Sequence, residues 1–379
     1  MCPPVPPNTG GHTLKIETNE NRKNNMDSVF LQNIQKKYNL PKFRVQQMQK
    51  AFFEQNISSY AEITTLGKKL REQLSTEKVL SFRVHHMAAS RDGNAYKAIL
   101  RLHDDRLIET VLLNPKPGLW SCCISSQAGC ALACTFCATG KLGFIRHLTS
   151  EEITDQVLFW RFFIAKEQLT DHLSNVVYMG MGEPLHNKEQ VFASIEELIN
   201  PQTFRIGARH ISVSTSGLVP AIYEFTDRFP QVNLAISLHA ANDELRLKMM
   251  PINKKYPLSE LIKAVNYYLQ KNNRKVFFEY ILLKDENDRL QDAEDLVNLY
   301  KNIEKKHLVH TNLIVYNQIE SHHCESPKTK AREFKRYLQK NGISVTIRKN
   351  LGRDIDGACG QLALKEMKTA TSNLDSEIV

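Results

Sequence analysis

Apolar and polar positions change rhythm twice along this 379-residue chain. From Val29 to about Leu74, apolar residues recur at mixed i+3 and i+4 spacing with lysines and arginines between them, in "FRVQQMQKAFFEQNI" and "TTLGKKLREQL". That period predicts a small basic helical module. Strand-like runs follow, "VLSFRVHHMAAS", "AYKAILRLHDD" and "LIETVLLN", broken by the turn "SRDGN". From Trp120 onward short apolar strands alternate with helices: "WSCCISSQ", "NVVYMGMGEP", "HISVSTSG", "NLAISLHA", "KVFFEYILL", "TNLIVYNQ" and "ISVTIRKN". This is the pattern of repeated βα units on a parallel sheet. One helix start is marked by Thr149 and Glu152 as a capping box, with Ile153, Val157 and Trp160 on one face; others lie near Ser259 and after Asp288. Polar or glycine-bearing residues directly follow several strands, at Gly182 and Glu183, Ser214 and Thr215, Ser237 to His239, and Asn317. Parallel sheets and barrels hold ligands at that end of their strands.

Composition adds a setting. Residues 1–28 carry prolines at 3, 4, 6 and 7 with no apolar signal core, and 366–379 are polar; both are expected to be disordered tails. Between them the pattern divides into a basic helical module with its strand link, 29–100, and a core domain, 101–365. No stretch reaches the roughly 18 apolar residues of a membrane span. Eight cysteines in this length are too few for a disulfide scaffold, which places the chain in the reducing cytoplasm. Fifty Lys and Arg against 41 Asp and Glu, a net charge of +9, suit a polyanionic partner such as RNA.

Three of the cysteines carry the chemistry. Cys130, Cys134 and Cys137 in "GCALACTFCATG" are spaced C-x3-C-x2-C, which fits iron–sulfur ligation. Three thiolates on one loop can hold three irons of a 4Fe–4S cube, leaving the fourth iron open to a small molecule. A zinc site is the competing reading, with Cys324, His322 and His323 as further ligands, although structural zinc normally uses C-x2-C knuckles. A non-catalytic, metal-stabilised RNA-binding protein would follow from it.

"CALACTFCATG" resembles the radical S-adenosylmethionine signature. With "CISSQAGC", "GMGEPLHN", "SVSTSG", "AISLHA", "PINKKYP" and "DIDGACGQL" around it, the chain resembles the RlmN/Cfr family of RNA adenosine methyltransferases over residues 40–365. The resemblance implies an incomplete (β/α)6 radical SAM barrel with a small helical N-terminal accessory domain, 29–100, that binds RNA. It implies a [4Fe-4S] cluster on Cys130, Cys134 and Cys137, with S-adenosylmethionine on the open iron and two such molecules used per turnover. Gly182, Glu183, Ser214, Ser237, Leu238, His239 and Asn317 align with the family's cofactor contacts.

Further roles also come from the resemblance. Cys359 in "GACGQL" matches the cysteine that becomes S-methylated and carries the methyl group. Cys123 matches the cysteine that resolves the protein–RNA link through a transient disulfide with Cys359. Cys122 stands next to it, but the spacing to Cys130 favours Cys123, and strand alternation puts the two on opposite faces. Glu109 in "IETV" matches the proton acceptor. Arg348, Lys349, Arg353, Lys42, Arg44, Lys68, Lys69 and Arg71 are candidates for phosphate contact. The implied substrate is a 23S rRNA adenosine of the peptidyl transferase centre, methylated at C2, with a tRNA adenosine beside the anticodon as a second target. Methylation at C8, as in Cfr, is the alternative; "GMGEP" leans towards C2. An electron donor such as a flavodoxin system, action as a monomer and no membrane association complete the expectation.

Overall fold

The computed structural model describes residues 29–317 and 322–358. Both expected tails, and Cys359, lie outside these residues. The helical period at the start folds as α1 (Val29–Lys37), α2 (Lys42–Phe53) and α3 (Lys68–Leu74). Their shared core includes Phe52 edge-on to Tyr60 at 5.1 Å. The module docks on the outside of the larger body, where Phe53 meets Phe204 at 5.0 Å and the Gln49 amide donates to the Gln202 carbonyl at 2.6 Å.

The alternating segment forms an antiparallel meander of β1 (Arg83–Ala89), β2 (Ala95–Arg101), β3 (Leu107–Lys116) and β4 (Leu119–Cys123). The meander is continuous with the parallel strands, so that one ten-stranded sheet runs through both. A short two-stranded pair, β5 (Gln127–Gly129) and β6 (Phe144–His147), brackets the cysteine loop and the short α4 (Ala138–Lys141).

The parallel part consists of β4, β7 (Asn175–Tyr178), β8 (Ile211–Thr215), β9 (Asn233–Ser237), β10 (Val276–Leu282), β11 (Val309–Val315) and β12 (Ser344–Ile347), paired in that order. The crossovers carry α5 (Ser150–Lys166), α6 (Lys188–Ile199), α7 (Val219–Arg228), α8 (Asp243–Met249) with α9 (Leu258–Asn272), α10 (Leu290–Tyr300) and α11 (Lys328–Lys340). Six βα units therefore precede a seventh strand, and β1 and β12 are the two ends of the sheet rather than partners. This is the incomplete (β/α)6 barrel expected from the sequence.

The capping box that starts α5 is formed: the Thr149 hydroxyl accepts from the Glu152 amide at 3.1 Å, and Glu152 Oε2 accepts from the Thr149 amide at 3.0 Å. Buried strands need apolar residues on both faces, and α5 supplies the outer layer through Ile153, Val157 and Trp160, all fully buried. Trp160 donates its indole N–H to Thr110 Oγ1 at 2.9 Å, which satisfies the polar atom of a side chain otherwise surrounded by core.

Candidate active site

The cysteine loop leaves β5 through Gly129, whose φ of +74° and close approach to Gly143 exclude a side chain: a Cβ would lie 2.0 Å from the Gly143 carbonyl oxygen. The Cys130 amide then donates to that carbonyl at 2.8 Å, and the Thr135 amide donates to the Met249 carbonyl at 3.0 Å. Cys137 is the N-cap residue of α4. Phe136 packs into a small apolar cluster with Met249, Met250, Ile281 and Tyr316, anchoring the loop from behind. Burial pushes the Cys130 thiol up to about 12 and raises Cys134 as well. Thiols held this way become thiolates when a cationic centre is bound, so the donor set suits metal.

The loop faces one cavity at the carboxyl end of the parallel strands, with an empty volume of about 910 Å3 including its mouth, a size that suits a cofactor. Cys130, Cys134, Cys137, Gly182, Glu183, Ser214, Ser237 and His239 all line it. Because β7 to β12 each contribute a residue at or near this end, the sheet curls around it. Gly182 has φ +99°, and a Cβ there would fall 2.5 Å from Gln127 Cβ. That glycine lets Gln127 Oε1 accept the Glu183 amide at 2.8 Å. The Glu183 carboxylate accepts from the Leu185 amide at 3.0 Å and the Ser216 amide at 2.8 Å. Burial still raises its pKa, against the pull of those bonds. A ligand ammonium beside it would favour the ionised carboxylate and offset that rise.

Ser214 Oγ and Ser237 Oγ lie 3.4 Å apart across β8 and β9. His239 adopts left-handed backbone, φ +59°, and its Nδ1 accepts the Ile281 amide at 3.1 Å. Burial lowers its pKa to about 3, so the ring is neutral and its proton sits on Nε2. Leu238 and Asn317 are not among the residues lining the cavity. Leu238 turns its side chain into the core and uses its backbone, its amide donating to the Glu279 carbonyl at 3.0 Å. Asn317 is buried just past β11, its Oδ1 accepting from Asn350 Nδ2 at 3.0 Å.

A second cavity adjoins the first and shares Met179, Ile314 and Arg348 with it. Cys123 lines this one, together with Gly357 and Ala358, the last described residue before position 359. Cys122 is fully buried on the other face of β4, as the strand alternation requires. Glu109 is buried on β3, with Lys97 Nζ 3.6 Å from its Oε1 and its own amide donating to Met181 Sδ at 3.3 Å. Arg348 turns inward, where its Nη1 donates to Glu279 Oε2 at 3.2 Å. Arg44 and Arg71 donate to the carbonyls of Thr65 and Ala61 within the helical module, and Arg353 pairs with Glu325. Lys42, Lys68, Lys69 and Lys349 are exposed.

Sequence reasoning missed Arg246, which lies in a charged, amphipathic segment and is fully buried. It donates to Asn253 Oδ1 at 2.8 Å and to the carbonyls of Ser216, Leu238 and Ser237 at 2.7, 3.1 and 3.3 Å. It thereby fixes the loop turns after β8 and β9 and places a positive charge towards Cys134. Gln127 and Glu279 were missed likewise. A signal existed for Gln127 alone: two glycines in "GMGEP" invite the question of what approaches them.

Comparison with known proteins gives this geometry a family. Residues 124–300 match the model of the radical SAM superfamily. The probable dual-specificity RNA methyltransferase RlmN of Geobacillus kaustophilus is 42% identical over 331 residues, covering 87% of this chain and 88% of that protein. That of Bacillus subtilis is 40% identical, covering 87% and 89%. The crystal structure of a radical SAM methyltransferase from Sphaerobacter thermophilus is 37% identical and superposes with a TM-score of 0.81, covering 88% of this chain and 96% of that one. The barrel, the cysteine loop and these relatives together show that the chain belongs to the RlmN family of radical SAM RNA methyltransferases.

Proposed function

We propose that this enzyme methylates C2 of an adenosine in the peptidyl transferase centre of 23S rRNA, and a tRNA adenosine beside the anticodon, through an S-methylcysteine on Cys359. The observation that supports this reading best is the pair of adjoining cavities, one lined by the three cysteines and Glu183, the other by Cys123, Gly357 and Ala358. The dual specificity in the relatives' name supports two RNA classes. When bound, the cluster on Cys130, Cys134 and Cys137 and S-adenosylmethionine supply one-electron cleavage chemistry and hence a hydrogen-abstracting radical.

The chain's own residues do the rest. Glu183 and the open backbone at Gly182 hold the cofactor's amino group, Ser214, Ser237 and His239 on the cavity wall hold its other polar edges, and Leu238 and Asn317, set behind that wall, support them. The Cys359 thiolate accepts a methyl group by displacement and presents it to the adenine ring, where carbon–carbon bond formation leaves protein and RNA linked through sulfur. Glu109 takes the proton that must leave before aromaticity returns, and Lys97 beside it keeps the carboxylate oriented. Cys123 releases the product by forming a transient disulfide with Cys359. Two molecules of S-adenosylmethionine serve each turnover, one for the methyl group and one for the radical. An external donor of the flavodoxin class and action as a monomer fit the same scheme, as does a cytoplasmic location; among the described residues no helix is long and apolar enough to cross a membrane. The division into an RNA-binding unit, 29–100, and a core, 101–365, belongs to this reading.

The test is nucleoside mass spectrometry of 23S rRNA and tRNA treated with anaerobically reconstituted protein. The expected product is 2-methyladenosine in both; 8-methyladenosine would overturn the regiochemistry.

A further inference from the structure

Away from both cavities, the loops that follow β10 and β11 bring together side chains of metal-ligating types. Glu286, His322 and His323 each offer one ligand atom, and these atoms all lie within 4.8 Å of one another. His323 is buried while His322 is exposed, so the group has a fixed inner member and an open outer side. His323 Nδ1 sits 2.6 Å from Glu286 Oε1, and the two imidazole centroids are 3.9 Å apart. The neighbouring carboxylates are otherwise engaged: Lys330 pairs with Asp285 at 2.7 Å and Asp288 at 3.4 Å, and Ser326 donates to Asp288 at 2.6 Å. Glu286 is the carboxylate of its loop that faces the histidines.

We propose that Glu286, His322 and His323 form a second metal site that takes one zinc ion, with a solvent molecule in the fourth position. Two imidazoles and a carboxylate are a donor set that zinc accepts, and the exposed side of His322 leaves room for the solvent ligand. The other nitrogen of His323 supplies an independent observation. A metal-bound histidine is oriented by a hydrogen bond from its second nitrogen, and His323 Nε2 lies 3.0 Å from Thr135 Oγ1. The present 2.6 Å contact is a hydrogen-bond separation. Ligation at ~2.0–2.2 Å from each atom asks the two to part by less than about 1 Å, which the half-exposed Glu286 side chain can accommodate. Thr135 lies between Cys134 and Cys137, so the ion would brace the cysteine loop from the far side through His323. The site is independent of the reaction proposed above.

The experiment uses the full chain with its cluster reconstituted, so that Cys130, Cys134 and Cys137 are occupied. The protein is incubated anaerobically with zinc chloride, desalted, and assayed for zinc and iron by mass spectrometry, with X-ray absorption at the zinc edge. The site predicts one zinc per chain, a first shell of nitrogen and oxygen alone at ~2.0–2.1 Å, and retention of zinc in Cys324→Ser. Substituting exposed His322 by Ala is expected to weaken zinc binding more than about tenfold at unchanged iron content. Less than about a tenth of an equivalent of zinc, sulfur in its first shell, or full zinc retention in H322A would overturn the proposal.

Discussion

At the scale of single residues, His239 shows how the barrel sets a charge state. The Ile281 amide occupies its Nδ1, and burial depresses the ring to about 3 from an ordinary 6.5. Between those values the unfolded chain binds a proton that the folded chain refuses, so stability falls as pH is lowered through 6.5 and is fully present above it. From pH 6.5 to 5.0 this amounts to between about 1 and 2 kcal/mol, because the unfolded imidazole is only half protonated at 6.5 and the slope reaches about 1.4 kcal/mol per pH unit only below that. Asparagine tolerates the left-handed backbone and has an oxygen for the Ile281 amide. Urea unfolding of the full chain is expected to show the wild type losing that much more than His239→Asn over the same interval; equal losses would mean the imidazole is not held neutral. His239 was legible in the sequence only through the family motif "AISLHA", because a lone histidine after a strand carries no sign of its burial. Arg246 was not legible at all. Its sequence neighbours are charged, and nothing local reveals that the turns after β8 and β9 fold over it.

At the scale of elements, the strands were legible where apolar runs are short and bounded by polar residues, and α5 was legible to the residue because a capping box is a local chemical event. The β5 and β6 pair escaped, since Gln127–Gly129 and Phe144–His147 are too short to show a period and their pairing spans the whole cysteine loop. The helical module was legible from its spacing, but not the division of labour among its cations. Arg44 and Arg71 cap backbone carbonyls, whereas Lys68 and Lys69 begin α3 exposed. Lys68→Ala with Lys69→Ala is therefore expected to weaken RNA binding while leaving cofactor cleavage intact. Each lost phosphate contact should flatten the slope of log affinity against log salt by about 0.7–0.9. Filter binding over a salt series reads this directly, and an unchanged slope would remove the module's lysines from the RNA interface.

At the scale of the whole molecule, sequence and structure meet at the two adjoining cavities. The sheet's parallel half supplies Glu183 and His239, the separate β5–β6 pair carries the cysteine loop, and the antiparallel meander supplies Cys123, while Glu109 on β3 is buried outside the lining of both cavities. The sequence indicated both sets but not that Met179, Ile314 and Arg348 would stand between them, because side-chain adjacency across β7, β11 and β12 is a property of sheet order and curvature. Arg348 illustrates the point: expected on the surface, it is held inward by Glu279, itself fixed by Asn312 at 2.9 Å. In the proposed reaction the methyl carbon passes through Cys359 and loses a hydrogen on the way. This is tested most directly by supplying S-adenosylmethionine with a fully deuterated methyl group and weighing both products. The expected adenosine keeps two deuteriums in its new methyl group, and 5'-deoxyadenosine gains the third; a methyl group that arrives with all three would rule out hydrogen loss from an S-methylcysteine.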